Sequence, residues 1–152
     1  MIRVGINGFG RIGRAFFRIN LKNKLYKIEA INDIDPDVSN IAYLLQFDST
    51  YGKIDEKVTV NGDKIKVGGQ TISVYNKNRI STVPWENHNI DVVIDSSGIH
   101  DNVIDSKKLI GRVKKVIVTH SPKDGVDITL MNGVNENKYK PNDHHIISSS
   151  IC

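Results

Sequence analysis

Apolar and polar residues follow two rhythms along this chain. Ile2, Val4 and Ile6 occupy every second position and run into a glycine turn, which predicts a short first strand in which the small Gly5 allows close packing. From Arg11 onward the apolar positions are Ile12, Ala15, Phe16 and Ile19. That i, i+3, i+4, i+7 spacing predicts a helix lying on a sheet, fading into Lys22-Asn23-Lys24. Ile28-Glu29-Ala30-Ile31 predicts a second strand, ending in Asn32-Asp33. Strand, glycine turn, helix and strand make a parallel crossover of right-handed connection.

The rhythm then changes twice. Asp35-Pro36-Asp37 is a turn and helix entry, and Val38, Ile41, Ala42 and Leu45 share one helical face. Between Lys53 and Tyr75 the pairs Val58/Val60, Ile65/Val67 and Ile72/Val74 alternate with polar residues. Asn61-Gly62 and Gly68-Gly69 separate them, so this stretch predicts an antiparallel hairpin meander, inserted as a flap rather than as part of a parallel sheet. Asp91-Val-Val-Ile-Asp95 predicts a buried strand, followed by Ser96-Ser97-Gly98. A helix carrying Val103, Leu109 and Ile110 leads to a strand at Val116-Ile117-Val118, with further short strands at Ile128–Met131 and Ile146–Ser148. The alternation of strands and helices points to an α/β fold: a doubly wound, mostly parallel sheet with an inserted antiparallel hairpin region.

Composition narrows the classes. A length of 152 residues suits one domain spanning 1–152, and 39% hydrophobic with 25% charged residues excludes a disordered chain. The longest apolar run, Ile41–Leu45, is far short of the roughly 20 residues that cross a bilayer, so no membrane partner is expected. Arg3, Arg11, Arg14 and Arg18 interrupt any secretory leader. A net charge of +4 comes without a long basic block or interleaved aromatics, so a solvated surface is expected and nucleic acid is not. The single cysteine, Cys152, allows no internal disulfide and fits a reducing, cytoplasmic compartment.

Candidate chemistry begins at Gly8-Phe9-Gly10-Arg11-Ile12-Gly13, which matches G-x-G-x-x-G. Its context sharpens it: a strand precedes it, a helix follows, and Asp33 ends the next strand 20 positions after the last glycine. The first glycine allows a tight turn, the second lets backbone approach a pyrophosphate, and the third lets helix and strand pack closely. Backbone N–H groups near Arg11 and Ile12 then face the phosphates. Asp33 is expected to accept from the adenosine ribose hydroxyls, and its charge favours NAD over NADP. Ser97-Gly98 and Thr119, at the carboxyl ends of the next two strands, are placed for a dinucleotide lying along the sheet edge, and equally for simple strand-ending turns.

These residues resemble the phosphorylating glyceraldehyde-3-phosphate dehydrogenases. The resemblance rests on Val4-Gly-Ile-Asn-Gly-Phe-Gly-Arg-Ile-Gly-Arg14, Ala30-Ile-Asn-Asp33, Phe47-Asp-Ser-Thr-Tyr-Gly-Lys53, Gly133-Val-Asn135 with Lys138-Tyr139, and Ile146-Ile-Ser148 before Cys152. It implies a Rossmann-type fold and NAD as cofactor. Arg11 and Ile12 are then at the pyrophosphate, Asp33 at the adenosine ribose, and Ser97-Gly98 and Thr119 on the path to the nicotinamide. A family basic residue bordering the adenine falls on Asn78 or on Arg79. Cys152 is implied as the nucleophile: its thiolate adds to an aldehyde, hydride leaves to the nicotinamide, and inorganic phosphate cleaves the thioester. The implied substrates are glyceraldehyde 3-phosphate and inorganic phosphate, in a homo-oligomer that is commonly a tetramer.

Two positions depart from the family. Ser148-Ser149-Ser150-Ile151 stands where Ser-Asn-Ala-Ser is usual, and His120 replaces a small residue. None of His88, His100, His120, His144 and His145 matches the family's general base, which the resemblance places beyond residue 152 together with the substrate-phosphate contacts. Asp143-His144-His145 with Cys152 is not read as a metal site, because adjacent histidines on a strand point apart. The expectation is therefore an NAD-binding half that does not turn over by itself. Alternatives are an erythrose-4-phosphate dehydrogenase of the same fold and a non-catalytic nucleotide-binding module.

Overall fold

The structure is a computed structural model that describes residues 1–149. Among the described residues eleven strands form in chain order: β1 (Arg3–Asn7), β2 (Lys27–Asn32), β3 (Phe47–Asp48), β4 (Gly52–Lys53), β5 (Thr59–Asn61), β6 (Lys64–Val67), β7 (Gln70–Tyr75), β8 (Val92–Asp95), β9 (Lys115–Val118), β10 (Ile128–Thr129) and β11 (Ile146–Ser148). The helices are α1 (Arg11–Asn23), α2 (Val38–Gln46) and α3 (His100–Asp105). Nine strands make one sheet in the spatial order β10-β11-β9-β8-β1-β2-β7-β6-β5, while β3 and β4 form a separate hairpin. Pairings from β10 across to β7 are parallel, and β6 and β5 continue antiparallel. Leaving the two-residue edge strand β10 aside, the parallel strands read 3-2-1-4-5-6 from β7 to β11. That is the doubly wound order with its switch point between β1 and β8.

The pleat distributes the core to both faces of this sheet. In β8, Val92 and Ile94 pack with Phe17, Leu21 and Leu45 on the helix side, while Val93 packs with Trp85, Leu109 and Val113 on the other. Gly5 shows why a small residue stands in β1. A Cβ built there would lie 2.5 Å from the fully buried Trp85 ring. The Trp85 indole N–H donates to the Ile80 carbonyl at 2.9 Å, so the ring is buried without an orphaned donor.

The structure corrects the predicted face of α1. Ile12 and Ile19 are 57% and 58% exposed, whereas Gly13, Phe17 and Leu21, spaced i, i+4, i+8, face the sheet. The reason is steric. A Cβ on Gly13 would come within 2.3 Å of the Gly8 carbonyl oxygen, so the glycine face is the face that can approach the strands. Arg18 is also buried, its guanidinium donating to the Leu45 carbonyl at 2.6 Å and the Gly52 carbonyl at 2.9 Å. It ties α1 to the end of α2 and to the β3–β4 hairpin.

Two further differences concern edges. The meander is antiparallel as expected, but β7 pairs in parallel with β2, so it widens the main sheet rather than standing apart as a flap. Ile128–Met131 shortens to Ile128–Thr129, because the Met131 N–H turns away to the Asn135 side chain at 2.7 Å.

The corrected face is testable by urea denaturation. Phe17→Ala is expected to cost about 3–5 kcal/mol, and Ile19→Ala to stay within about 0.5 kcal/mol; the reverse ranking would restore the other face.

A second expectation concerns the opposite end of the sheet. The Arg3 amide donates to Asp91 at 2.9 Å and the Lys114 ammonium lies 2.7 Å away, and together they hold the Asp91 carboxyl below its ordinary range. A lowered folded value means that the stabilisation is complete above the unfolded pKa and is lost as pH falls through the folded one. The stability gap between the native chain and Asp91→Asn should therefore be constant from about pH 5 to 8 and should close below about pH 4.

Candidate functional site

Three central strands end on polar side chains. Asn7 stands in register with Asn32 on one side and Asp95 on the other, and all three are buried. Asn32 Nδ2 donates to Asn7 Oδ1 at 2.8 Å, and Asn7 Nδ2 donates to Asp95 Oδ1 at 3.0 Å. Asp95 Oδ1 also accepts from the Ser97 amide at 3.2 Å and from the Ser97 hydroxyl at 2.7 Å. The Ser97 hydroxyl in turn accepts from the Ile99 amide at 3.3 Å and from Asn102 Nδ2 at 3.1 Å. Its one proton and both lone pairs are thus committed inside the protein. Ser97 forms the floor of the crevice by shape rather than as a free hydroxyl.

The glycine loop lies over this polar line. Gly8 has φ +87°, and a Cβ there would meet the Ser97 backbone at 2.5 Å, so loop and crevice floor touch directly. Ser96 Oγ reinforces the contact by donating to the Gly8 carbonyl at 2.6 Å. Gly10 differs from its neighbours. Its φ of −71° makes no demand for glycine, and nothing lies within 4 Å of where its Cβ would stand. Packing therefore explains Gly8 and Gly13 but not Gly10, which leaves backbone open to something from outside the chain.

Gly10 is also the N-cap of α1, with no side-chain cap and no acidic residue in the first turn. The N–H groups there retain the positive end of a 13-residue helix. In α2, by contrast, Asp37 accepts from the Ser39 and Asn40 amides at 2.9 and 3.3 Å.

Asp33 closes the arrangement. Its Oδ2 accepts from the Phe9 amide at 2.6 Å and its Oδ1 from the Asp35 amide at 2.9 Å. Each oxygen keeps a lone pair for a further donor. A cavity of about 230 Å³ opens between Gly8, Gly10, Asp33, Lys77, Ser97 and Asn102. A larger hollow of about 330 Å³, between α1 and the β3–β4 hairpin, is lined by Ile19, Lys22, Tyr51 and Glu56. None of Gly8, Gly10, Asp33 and Ser97 lines it, so the smaller cavity is the one that the glycine loop and the strand ends share.

The family model for the glyceraldehyde 3-phosphate dehydrogenase NAD-binding domain matches residues 2–103. The chain belongs to this family. It is 43% identical over 153 aligned positions to glyceraldehyde-3-phosphate dehydrogenase 2 of Streptomyces avermitilis. Identity to the glyceraldehyde-3-phosphate dehydrogenase of Geobacillus stearothermophilus and to glyceraldehyde-3-phosphate dehydrogenase 1 of Bacillus subtilis is 38% over 151 positions each. Each match covers 99% of this chain and 45% of the relative, so the chain spans about half the length of the proteins it resembles.

Against this dehydrogenase family, the structure brings Gly8, Gly10, Asp33 and Ser97 to one cavity. Phe9 reaches the site through its backbone alone, since its ring is buried edge-on against Phe17 with centroids 5.7 Å apart. Arg11 and Ile12 open α1 and are exposed. Gly98, at φ +71°, turns the chain after β8. Thr119, at the end of β9, donates from its amide and hydroxyl to the Asp95 carbonyl at 3.0 and 3.2 Å. Of the two positions open for the adenine-side residue, Asn78 lines the cavity while Arg79 faces Asp105 at 3.9 Å. Cys152, with Ser150 and Ile151, lies outside the described residues.

Sequence reasoning missed Asn7, Asn32, Asp95 and Asn102. For Asn7, Asn32 and Asp95 the available signal was a polar residue closing each apolar strand run, whereas Asn102 lies in α3 and carried no such signal. Among the described residues no three His, Cys, Asp or Glu side chains stand together as a metal group, and no helix is long and apolar enough to cross a membrane.

The different reasons for the glycines separate on stability. Gly13→Ala forces α1 off the strand and is expected to cost about 2–3 kcal/mol. Gly10→Ala, meeting no neighbour, should cost about 1 kcal/mol or less in urea titrations.

Proposed function

We propose that this chain is the NAD-binding half of a phosphorylating glyceraldehyde-3-phosphate dehydrogenase acting in the cytoplasm. The observation that carries the reading is Gly10, a glycine that nothing in the fold requires, set at the uncapped start of α1. A pyrophosphate fits there: backbone can approach it, the first-turn N–H groups of Arg11 and Ile12 face it, and no side chain blocks it. Asp33 accepts from the adenosine ribose hydroxyls with the lone pairs left by Phe9 and Asp35. Ser97, Gly98 and Thr119 form the floor along which the nicotinamide end runs. When bound, NAD supplies the hydride acceptor.

Cys152 supplies the nucleophile for glyceraldehyde 3-phosphate, with inorganic phosphate as second substrate, in a homo-oligomeric enzyme. The family's base is not among the histidines of this chain, so the chain binds NAD without sustained turnover. One domain spanning 1–152 accounts for the cofactor side of the reaction.

Isothermal titration with NAD tests this reading. The native chain is expected to bind, and Gly10→Ala to lose binding while remaining folded. Asp33→Ala should weaken affinity roughly tenfold or more, the size of lost hydrogen bonds to a charged acceptor. Undiminished binding by Gly10→Ala would overturn the placement. Steady NADH formation from glyceraldehyde 3-phosphate and phosphate by this chain would overturn the claim that it does not turn over.

A further inference from the structure

The cavity beside Asp33 is also lined by an exposed cationic residue, Lys77, that the glycine motif does not announce. Of the described residues lining it, only Asp33 and Lys77 are charged. Lys77 is held by its backbone. Its amide donates to Asn32 Oδ1 at 2.9 Å, and its carbonyl accepts from Asn32 Nδ2 at 3.0 Å. Asn32 directly precedes Asp33, whose own carbonyl accepts from Asn76 Nδ2 at 2.9 Å. The segment carrying Lys77 is therefore clamped to the end of β2 that carries Asp33. The ammonium enters no ion pair among the described residues, while nearby cations are engaged: Arg79 and Lys108 with Asp105, and Arg112 with Glu86.

We propose that Lys77 is a specificity-determining residue that lets this crevice accept a phosphate on the adenosine ribose, so that the chain binds NADP as well as NAD, with NAD the tighter ligand. This rests on the dinucleotide reading of the cavity. A lone carboxylate at the ribose repels a 2′-phosphate, and a cation alongside it offers that phosphate a partner. Here Asp33 and Lys77, opposite in formal charge, both line the cavity, and two backbone amides donate to the carboxylate. The field against a ribose phosphate is correspondingly weakened. Lys77 acts through its side chain alone, since alanine also supplies the amide and carbonyl that Asn32 holds, so Lys77→Ala leaves the clamp intact.

The test is the ratio of dissociation constants for NADP and NAD, measured by titration calorimetry on the native chain, Lys77→Ala and Arg79→Ala. Lys77→Ala is expected to raise the ratio about five- to tenfold, the scale of one lost charged contact to phosphate. Arg79→Ala should leave the ratio unmoved, and the Lys77 effect should shrink at high salt. A ratio that Lys77→Ala does not change, or no NADP binding by a native chain that binds NAD, overturns this proposal alone. Absence of NAD binding by the native chain overturns the dinucleotide reading beneath it.

Discussion

A line of hydrogen-bonded side chains, Asn32 to Asn7 to Asp95, crosses the carboxyl ends of the three central strands and fixes how they meet. Each member is buried, and a lost partner there costs about 1–3 kcal/mol, so the line favours one register. A slip of one residue would break both bonds and turn apolar side chains out of the two cores. From that register follow the position of Gly8 over Ser97, the placement of Asp33 beneath the Phe9 amide, and the orientation of the uncapped end of α1. The site thus inherits its geometry from the strands. The same line explains why the floor is polar yet offers few free groups: its donors are spent on holding the floor in place.

Much of this was legible in residues and spacing. The glycine motif, Asp33 and the strand runs around Ile28, Val93 and Ile117 fall where their patterns predict. So does α2, whose Ile41, Ala42 and Leu45 are buried as a face. The face of α1 was not legible, for a physical reason. The closest approach of its packing face is at Gly13, which has no side chain to register as hydrophobic, so the apolar spacing of Ile12, Ala15, Phe16 and Ile19 outweighs that of Phe17 and Leu21 although Ile12 and Ile19 are exposed. The polar line escaped for a related reason. Asn and Asp at a strand end read as turn formers, and only the register of three distant segments turns them into one network. Pairing of β7 with β2 likewise depends on contacts that no local alternation encodes.

The chain's relation to its family follows from the same architecture. Its crevice brings together an uncapped helix start, the Asp33 carboxylate and a small-residue floor, features that suit a dinucleotide. What it shares with its relatives covers 45% of their length. Exposed Ile12, Ile19, Tyr43 and Tyr51 show that apolar side chains are not confined to the two cores.

The most direct test of the account is a ¹H–¹⁵N correlation spectrum of the chain titrated with NAD. Ligand at the carboxyl edge should shift the amides of Phe9 to Gly13, Asp33 and Gly98, and leave those of Ile19, Tyr51 and Glu56 in place. Shifts confined to the hollow between α1 and the β3–β4 hairpin, or no shifts at saturating NAD, would contradict it.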